Sequence, residues 1–269
     1  MDTNIKKITE KKRYDFNDLR EIMEILRSEN GCPWDKEQTH ASIRNNFIEE
    51  TYEVVEGIDS NDNDILKEEL GDVLLQVVFH TRMAEEEGAF NIDDVTDGIC
   101  KKLIRRHPHI FAEVKASTPE EVLNNWDEIK KEEKKRKTAT DNLRSVSPAM
   151  PALLRAGKIQ QKAAKAGFSY SDMKSAVNKI NEKYQEICEA LKEKDPKDCE
   201  DEWGDILFAV SYAIKLAGLE PEQILYKANE RFIERFSIME QIAAEQGKKI
   251  CELPVNKVEE IWKKAKKVK

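Results

Sequence analysis

The stretch "EELGDVLLQVVFH", Glu68 to His80, decides the architecture. At about 100° per residue with Leu70 at the centre, Leu66, Val73, Leu74, Val77 and Thr81 form one helical stripe. Leu75, Val78 and Phe79 carry apolar cover round the other side. Glu69, Asp72 and Gln76 are left as a narrow polar strip with apolar residues on both borders. A carboxylate buried without a partner is costly, so such a strip is built around something positive. Gly71, inside the helix, costs about 1 kcal/mol relative to alanine. It is expected where a neighbouring backbone or ligand comes close.

The stretch also recurs. "ELGDVLLQVVF" (69–79) reappears 133 residues on as "EWGDILFAVSY" (202–212), and "EETYE" (49–53) reappears at the same offset as "EKYQE" (182–186). "KLIRR" (102–106) matches "RFIER" (231–235), and "WDEIKKEEKK" (126–135) faintly matches "WKKAKKVK" (262–269). Ordered matches along a chain mark an internal duplication. The predicted organisation is all-α: a tandem repeat of two four-helix-type bundles, 14–137 and 152–269, joined by a solvated linker at 138–151. Ile43, Phe47, Val54, Val55 and Ile58 recur at helical spacing in the first acidic segment. "STPEEVLNNW" (117–126) opens a further helix with Ser and Thr before Pro and two glutamates.

Composition agrees with helices. Of the 269 residues, 36% are charged and 7% aromatic, with only 10 Gly and 8 Pro. The net charge of −8 argues against a nonspecific grip on nucleic acid or an anionic membrane. No apolar run approaches a membrane span. Five cysteines without CxxC spacing read as reduced thiols, and a cytoplasmic location is expected.

The first acidic helix repeats the pattern of the second. With Phe47 at the centre of its core stripe, Glu50 and Glu53 flank the stripe, whereas Glu49 and Glu56 face solvent. Two bundle helices, each presenting an i,i+3 acid pair beside the packed face, can converge four carboxylates on one point. Four ionised acids repel, and a hard divalent cation removes the conflict; Mg²⁺ prefers such oxygen ligands. A di-iron reading fails, because only one ExxH exists, at 37–40. "HPH" (107–109) has no partners at zinc spacing.

Taken with "NGCPWDKEQTH" (30–40), "RRHPHIF" (105–111) and "NNWDEIKKEE" (124–133), these motifs resemble a two-copy MazG nucleoside triphosphate pyrophosphohydrolase along nearly the whole chain. The resemblance implies an all-α homodimer that uses Mg²⁺, or Mn²⁺, to hydrolyse nucleoside triphosphates to monophosphate and pyrophosphate. It implies Glu50, Glu53, Glu69 and Asp72 as metal ligands; a carboxylate not fully spent on the metal, Glu50 or the neighbouring Glu49, is then the expected proton acceptor. Lys102 and Arg106 in the first copy, and Arg231 and Arg235 in the second, are implied as phosphate contacts, and Trp126 and Trp262 as base contacts. In the second copy Glu186, Glu202 and Asp205 remain as ligands. Lys183 replaces a glutamate there, which weakens the metal site or puts a point charge on a phosphate. A rival of another class is a catalytically silent helical interaction module.

Overall fold

The structure is a computed structural model and describes residues 3–112, 118, 121, 122, 126, 129 and 138–267. All regular elements among the described residues are helical. The chain divides into two compact units, Met1–Glu133 and Lys134–Lys269. The helix expected from Ser117 lies mostly outside the described residues, as does Lys130.

In the first unit the helices are α1 (Thr3–Thr9), α2 (Phe16–Arg27), α3 (Pro33–Glu37), α4 (Arg44–Asp59), α5 (Asn63–Glu86), α6 (Ile92–Arg106) and α7 (Pro108–Phe111). Asp15 starts α2 by accepting from the Asn17 and Asp18 amides, and Asp18 reaches back to the Asp15 amide, closing a capping box. The unit is organised by the α4–α5 hairpin, its most extensive helix pair. The hairpin turns at Asn61, whose φ of 55° lies in the left-handed region that asparagine tolerates. Asp62 then caps α5 through the Asp64 and Ile65 amides. Near the turn the backbones almost touch: a Cβ on Gly57 would stand 2.8 Å from the Leu66 nitrogen. Gly71, where a close neighbour was expected, has open space beyond its Cα. The residue that admits the partner backbone is therefore on α4.

The core lies toward the far end of α5. Met23, Ile43, Val78, Phe79 and Met83 form it, with Leu19 and Leu75 packed alongside. The stripe centred on Leu70 is less covered than its periodicity suggests, with Leu70 51% and Leu74 40% exposed, and Ile58 on α4 is 57% exposed. A helical wheel gives the direction a side chain points, but not how far along the helix a packing partner extends. Here α2 supplies Leu19 and Met23 to the C-terminal half of α5.

The second unit repeats this plan with α8 (Ala139–Arg144), α9 (Ala152–Lys165), α10 (Met173–Glu193), α11 (Glu200–Leu216), α12 (Pro221–Glu245) and α13 (Val255–Ala265). The α10–α11 pair is the counterpart of α4–α5. Buried Gln160 ties α9 to α11, donating to the Phe208 carbonyl at 2.7 Å and accepting from Ser211 at 3.4 Å. The stretch read as a linker carries structure of its own. Thr138 and Asp141 form a capping box for α8, and the Lys162 ammonium on α9 binds Asn142 and Ser145.

Candidate metal and active site

The polar strip of α5 meets the acidic flank of α4. One carboxylate oxygen from each of Glu50, Glu69 and Asp72 lies within 4.8 Å of the others, and all three residues are half-buried. Glu53, one turn along α4, is exposed but interacts with both Glu50 and Glu69. The Glu50 carboxyl is held above the ordinary glutamate range, first by burial, then by the charge of Asp72 and by Glu53 and Glu69. Glu69 is raised as well, again first by burial and then by the charges of Glu53, Glu68 and Asp72. After burial, the leading influences on both are other acids, with no cation among them.

This donor set fits a hard divalent ion. Two oxygens on one Mg²⁺ at 2.0–2.1 Å can stand at most about 4.2 Å apart. The three oxygens, within 4.8 Å of one another, stand close to that span. The raised acids also set a pH dependence. Between the ordinary glutamate value and their folded values, the folded chain holds more protons than the unfolded chain. Their contribution to stability in the metal-free chain therefore falls as pH rises through that window. A cation binds the deprotonated oxygens, so its stabilising effect grows over the same window. Thermal melts from about pH 4 to 7 with EDTA or Mg²⁺, on the chain and on Glu50→Gln, check both slopes. A Tm gain that ignores pH contradicts the assignment.

The other expected residues lie on α4, on α6 and beside His107. Lys102 is exposed on α6, together with half-buried Arg106, and that helix packs on α5 and α7. Neither residue is among the strongest influences on Glu50 or Glu69. Trp126 lies against His107, with ring centroids 5.7 Å apart. Glu49 is exposed beside Glu50.

In the second unit Lys183 donates to Glu186 and lies 2.7 Å from both Glu186 and Asp205, while Lys194 lies 2.9 Å from Glu202. The three acids read as ligands are thus already paired with ammonium groups, and the Lys183 charge read as a phosphate contact is engaged by carboxylates. Trp262 is covered by its own chain: the Arg235 guanidinium lies 5.9 Å from the ring centroid, the Lys266 ammonium 5.3 Å and the Phe232 ring 5.5 Å. Arg231 is exposed on α12.

Sequence reasoning missed one feature on the α5 strip. His80, two turns beyond Asp72, meets His40 with Nδ1 atoms 2.7 Å apart and rings stacked at 5.1 Å. Burial, then the neighbouring His40, lowers the His80 pKa. Its spacing from Asp72 was the available signal, but nothing in the sequence places His40 opposite.

The family model of the MazG nucleotide pyrophosphohydrolase domain matches this chain twice, at residues 38–111 and 170–237. The chain belongs to the MazG family. The first MazG segment spans Glu50, Glu53, Glu69, Asp72, Lys102 and Arg106, and the second matches despite Lys183. The "Nucleoside triphosphate pyrophosphohydrolase/pyrophosphatase MazG" of Thermotoga maritima is 44% identical over 251 residues, 93% of this chain and 95% of that protein. The "Nucleoside triphosphate pyrophosphohydrolase" of Escherichia coli K12 is 42% identical over 252 residues, 93% and 96% of the two chains. A protein of the same name from Mycobacterium tuberculosis is 44% identical over 149 residues, 55% of this chain and 44% of its own length. Trp126 and Trp262 lie outside both MazG segments.

Proposed function

We propose that the first repeat hydrolyses nucleoside triphosphates to monophosphate and pyrophosphate, with Mg²⁺ held by Glu50, Glu69 and Asp72 and joined by Glu53. The observation that carries this reading is the convergence of three half-buried carboxylates, two of them with raised pKa values and no cation among their strongest influences. Mn²⁺ suits the same all-oxygen set. Bound there, the divalent ion supplies Lewis acidity and a more acidic water.

The chain's own residues have separate tasks. With pyrophosphate as the leaving group, water attacks the α-phosphorus, the bond from that phosphorus to the bridging oxygen breaks, and the water loses a proton. Glu50, whose pKa is raised, or exposed Glu49 beside it, accepts that proton. Lys102 and Arg106 offset the negative charge that builds on the departing pyrophosphate. Trp126 offers a flat apolar face to the base. Val55, Ile58, Leu70 and Leu74, apolar and exposed on the α4–α5 hairpin, support a homodimer in which a second copy covers them. All five cysteines are free thiols, as in a chain kept reduced in the cytoplasm. Among the described residues no helix is long and apolar enough to cross a membrane.

The test is a product assay with each nucleoside triphosphate and Mg²⁺. Monophosphate with pyrophosphate is expected. Monophosphate with two orthophosphates would mean stepwise dephosphorylation, and no turnover with any nucleotide would favour a silent interaction module.

A further inference from the structure

The two repeats can be compared residue by residue at the common offset of 133. Glu53, Glu69 and Asp72 correspond to Glu186, Glu202 and Asp205, so three acids are kept. Among the differences on this hairpin are three gains of lysine. Asn46, Glu50 and Asn61 become Lys179, Lys183 and Lys194. Each of these lysines is paired with an acid of the same hairpin: Lys179 with Glu182 at 2.7 Å, Lys183 with Glu186 and Asp205 at 2.7 Å, and Lys194 with Glu202 at 2.9 Å. In the first repeat, by contrast, none of Glu50, Glu53, Glu69 and Asp72 has a salt bridge among the described residues. Four acids without an ammonium partner among the described residues thus correspond to three acids and two ammonium groups at the matching positions of the second repeat.

We propose that the second repeat carries its cation covalently: the Lys183 ammonium, seated between Glu186 and Asp205, fills the place of a divalent ion, so this repeat binds no metal. A chance Glu→Lys exchange would leave an exposed lysine free to swing away. Here the side chain is only 20% exposed and its nitrogen reaches carboxylates on both helices, α10 and α11, as a shared ion would. Lys194 then neutralises Glu202, the acid that Lys183 does not reach. Without a divalent ion, this repeat has nothing to acidify a water and performs no hydrolysis. Its role is then to complete the fold of the chain while the first repeat does the chemistry, a division of labour that rests on the proposed function.

Mn²⁺ binding to the full chain, followed by EPR, tests this independently of turnover. Wild type is expected to bind an ion at the first repeat alone. Glu69→Gln with Asp72→Asn should abolish binding. Adding Lys183→Glu to that double variant should restore one Mn²⁺, with a Tm that rises on adding Mg²⁺, and a further Asp205→Asn should remove both effects. The proposal is overturned if the double variant still binds an ion that Asp205→Asn abolishes, or if a folded Lys183→Glu variant gains none. Should Lys183→Glu fail to fold, Lys183→Met in the same background decides. Loss of the ammonium should then allow Mn²⁺ to bind with at least about tenfold higher affinity, and unchanged affinity would overturn the proposal. Wild type without any Mn²⁺ would defeat the proposed function, while the Lys183 variants would still report on the second repeat.

Discussion

Asp72→Asn is expected to lower kcat/KM for a nucleoside triphosphate by at least about a thousandfold, or roughly 4 kcal/mol of transition-state stabilisation. Asparagine keeps the shape and one carbonyl oxygen but loses the charge that a divalent ion needs. The fold is expected to survive, for an electrostatic reason. Asp72 is the charge that acts most strongly on Glu50 and is among those that raise Glu69. Removing it relieves repulsion, so the Tm in EDTA should rise or stay level, while the gain on adding Mg²⁺ should vanish. Glu53→Gln, on the exposed rim of the same group, is also expected to abolish metal-dependent turnover. Turnover within tenfold of wild type in both variants, or a Tm that falls in EDTA for Asp72→Asn, would end the assignment of the first repeat as the active one.

Arg27→Ala should be the most damaging substitution for stability among the polar residues of the first unit, at about 3 kcal/mol, a Tm loss on the order of 10 °C. The Arg27 side chain is only 7% exposed. It pairs with Glu86 at 2.8 Å, donates to the Asp35 and Gln38 carbonyls, and lies 5.4 Å from the Phe79 ring centroid. One side chain thus joins the end of α2, the α3 segment and the end of α5. Truncation strips two carbonyls and a half-sheltered carboxylate of a donor, although Arg82 still reaches Glu86 at 3.0 Å. Burial works to raise the Glu86 pKa, and Arg27 and Arg82 overcome it, leaving the carboxyl below its ordinary value. Stability from this pair is present above the unfolded pKa and is lost as pH falls through the folded one. Urea unfolding at neutral and acidic pH checks both points: the gap between wild type and Arg27→Ala should narrow in acid. A loss under about 1 kcal/mol at neutral pH would show that the guanidinium is structurally dispensable.

Most of this fold could be read from the chain, because duplication gives each helix a second witness. The 133-residue offset paired α4–α5 with α10–α11, and the i,i+3 acids fell on facing flanks, as Glu50, Glu69 and Asp72 do. The remainder depended on partners that a single helix does not specify. Periodicity put Leu70 and Leu74 on a core stripe, yet they are exposed because α2 packs farther along α5. Gly71 pointed to a close approach that is found at Gly57, since spacing cannot say which member of a hairpin yields to the other. Residues 138–151 looked like linker because their charges and prolines hid the Thr138–Asp141 cap. Lys183 was visible as an anomaly, whereas Lys179 and Lys194 acquire meaning only beside Glu182 and Glu202. Arg27 gave no signal, because a buried guanidinium and a solvated one are spelled alike.

The near-touching of α4 and α5 at Gly57 reaches beyond the turn it closes. Glu50 lies two helical turns away, about 10 Å along the same helix. A methyl group there would wedge the rods open and favour an ion of larger radius, such as Ca²⁺, over Mg²⁺. The second repeat has Ala190 at the matching position, in the hairpin whose charge is supplied by lysine. On the proposed function, Gly57→Ala is expected to shift ion preference from Mg²⁺ toward Ca²⁺ although residue 57 does not touch the ion, and an unchanged preference in Mn²⁺ competition would contradict this.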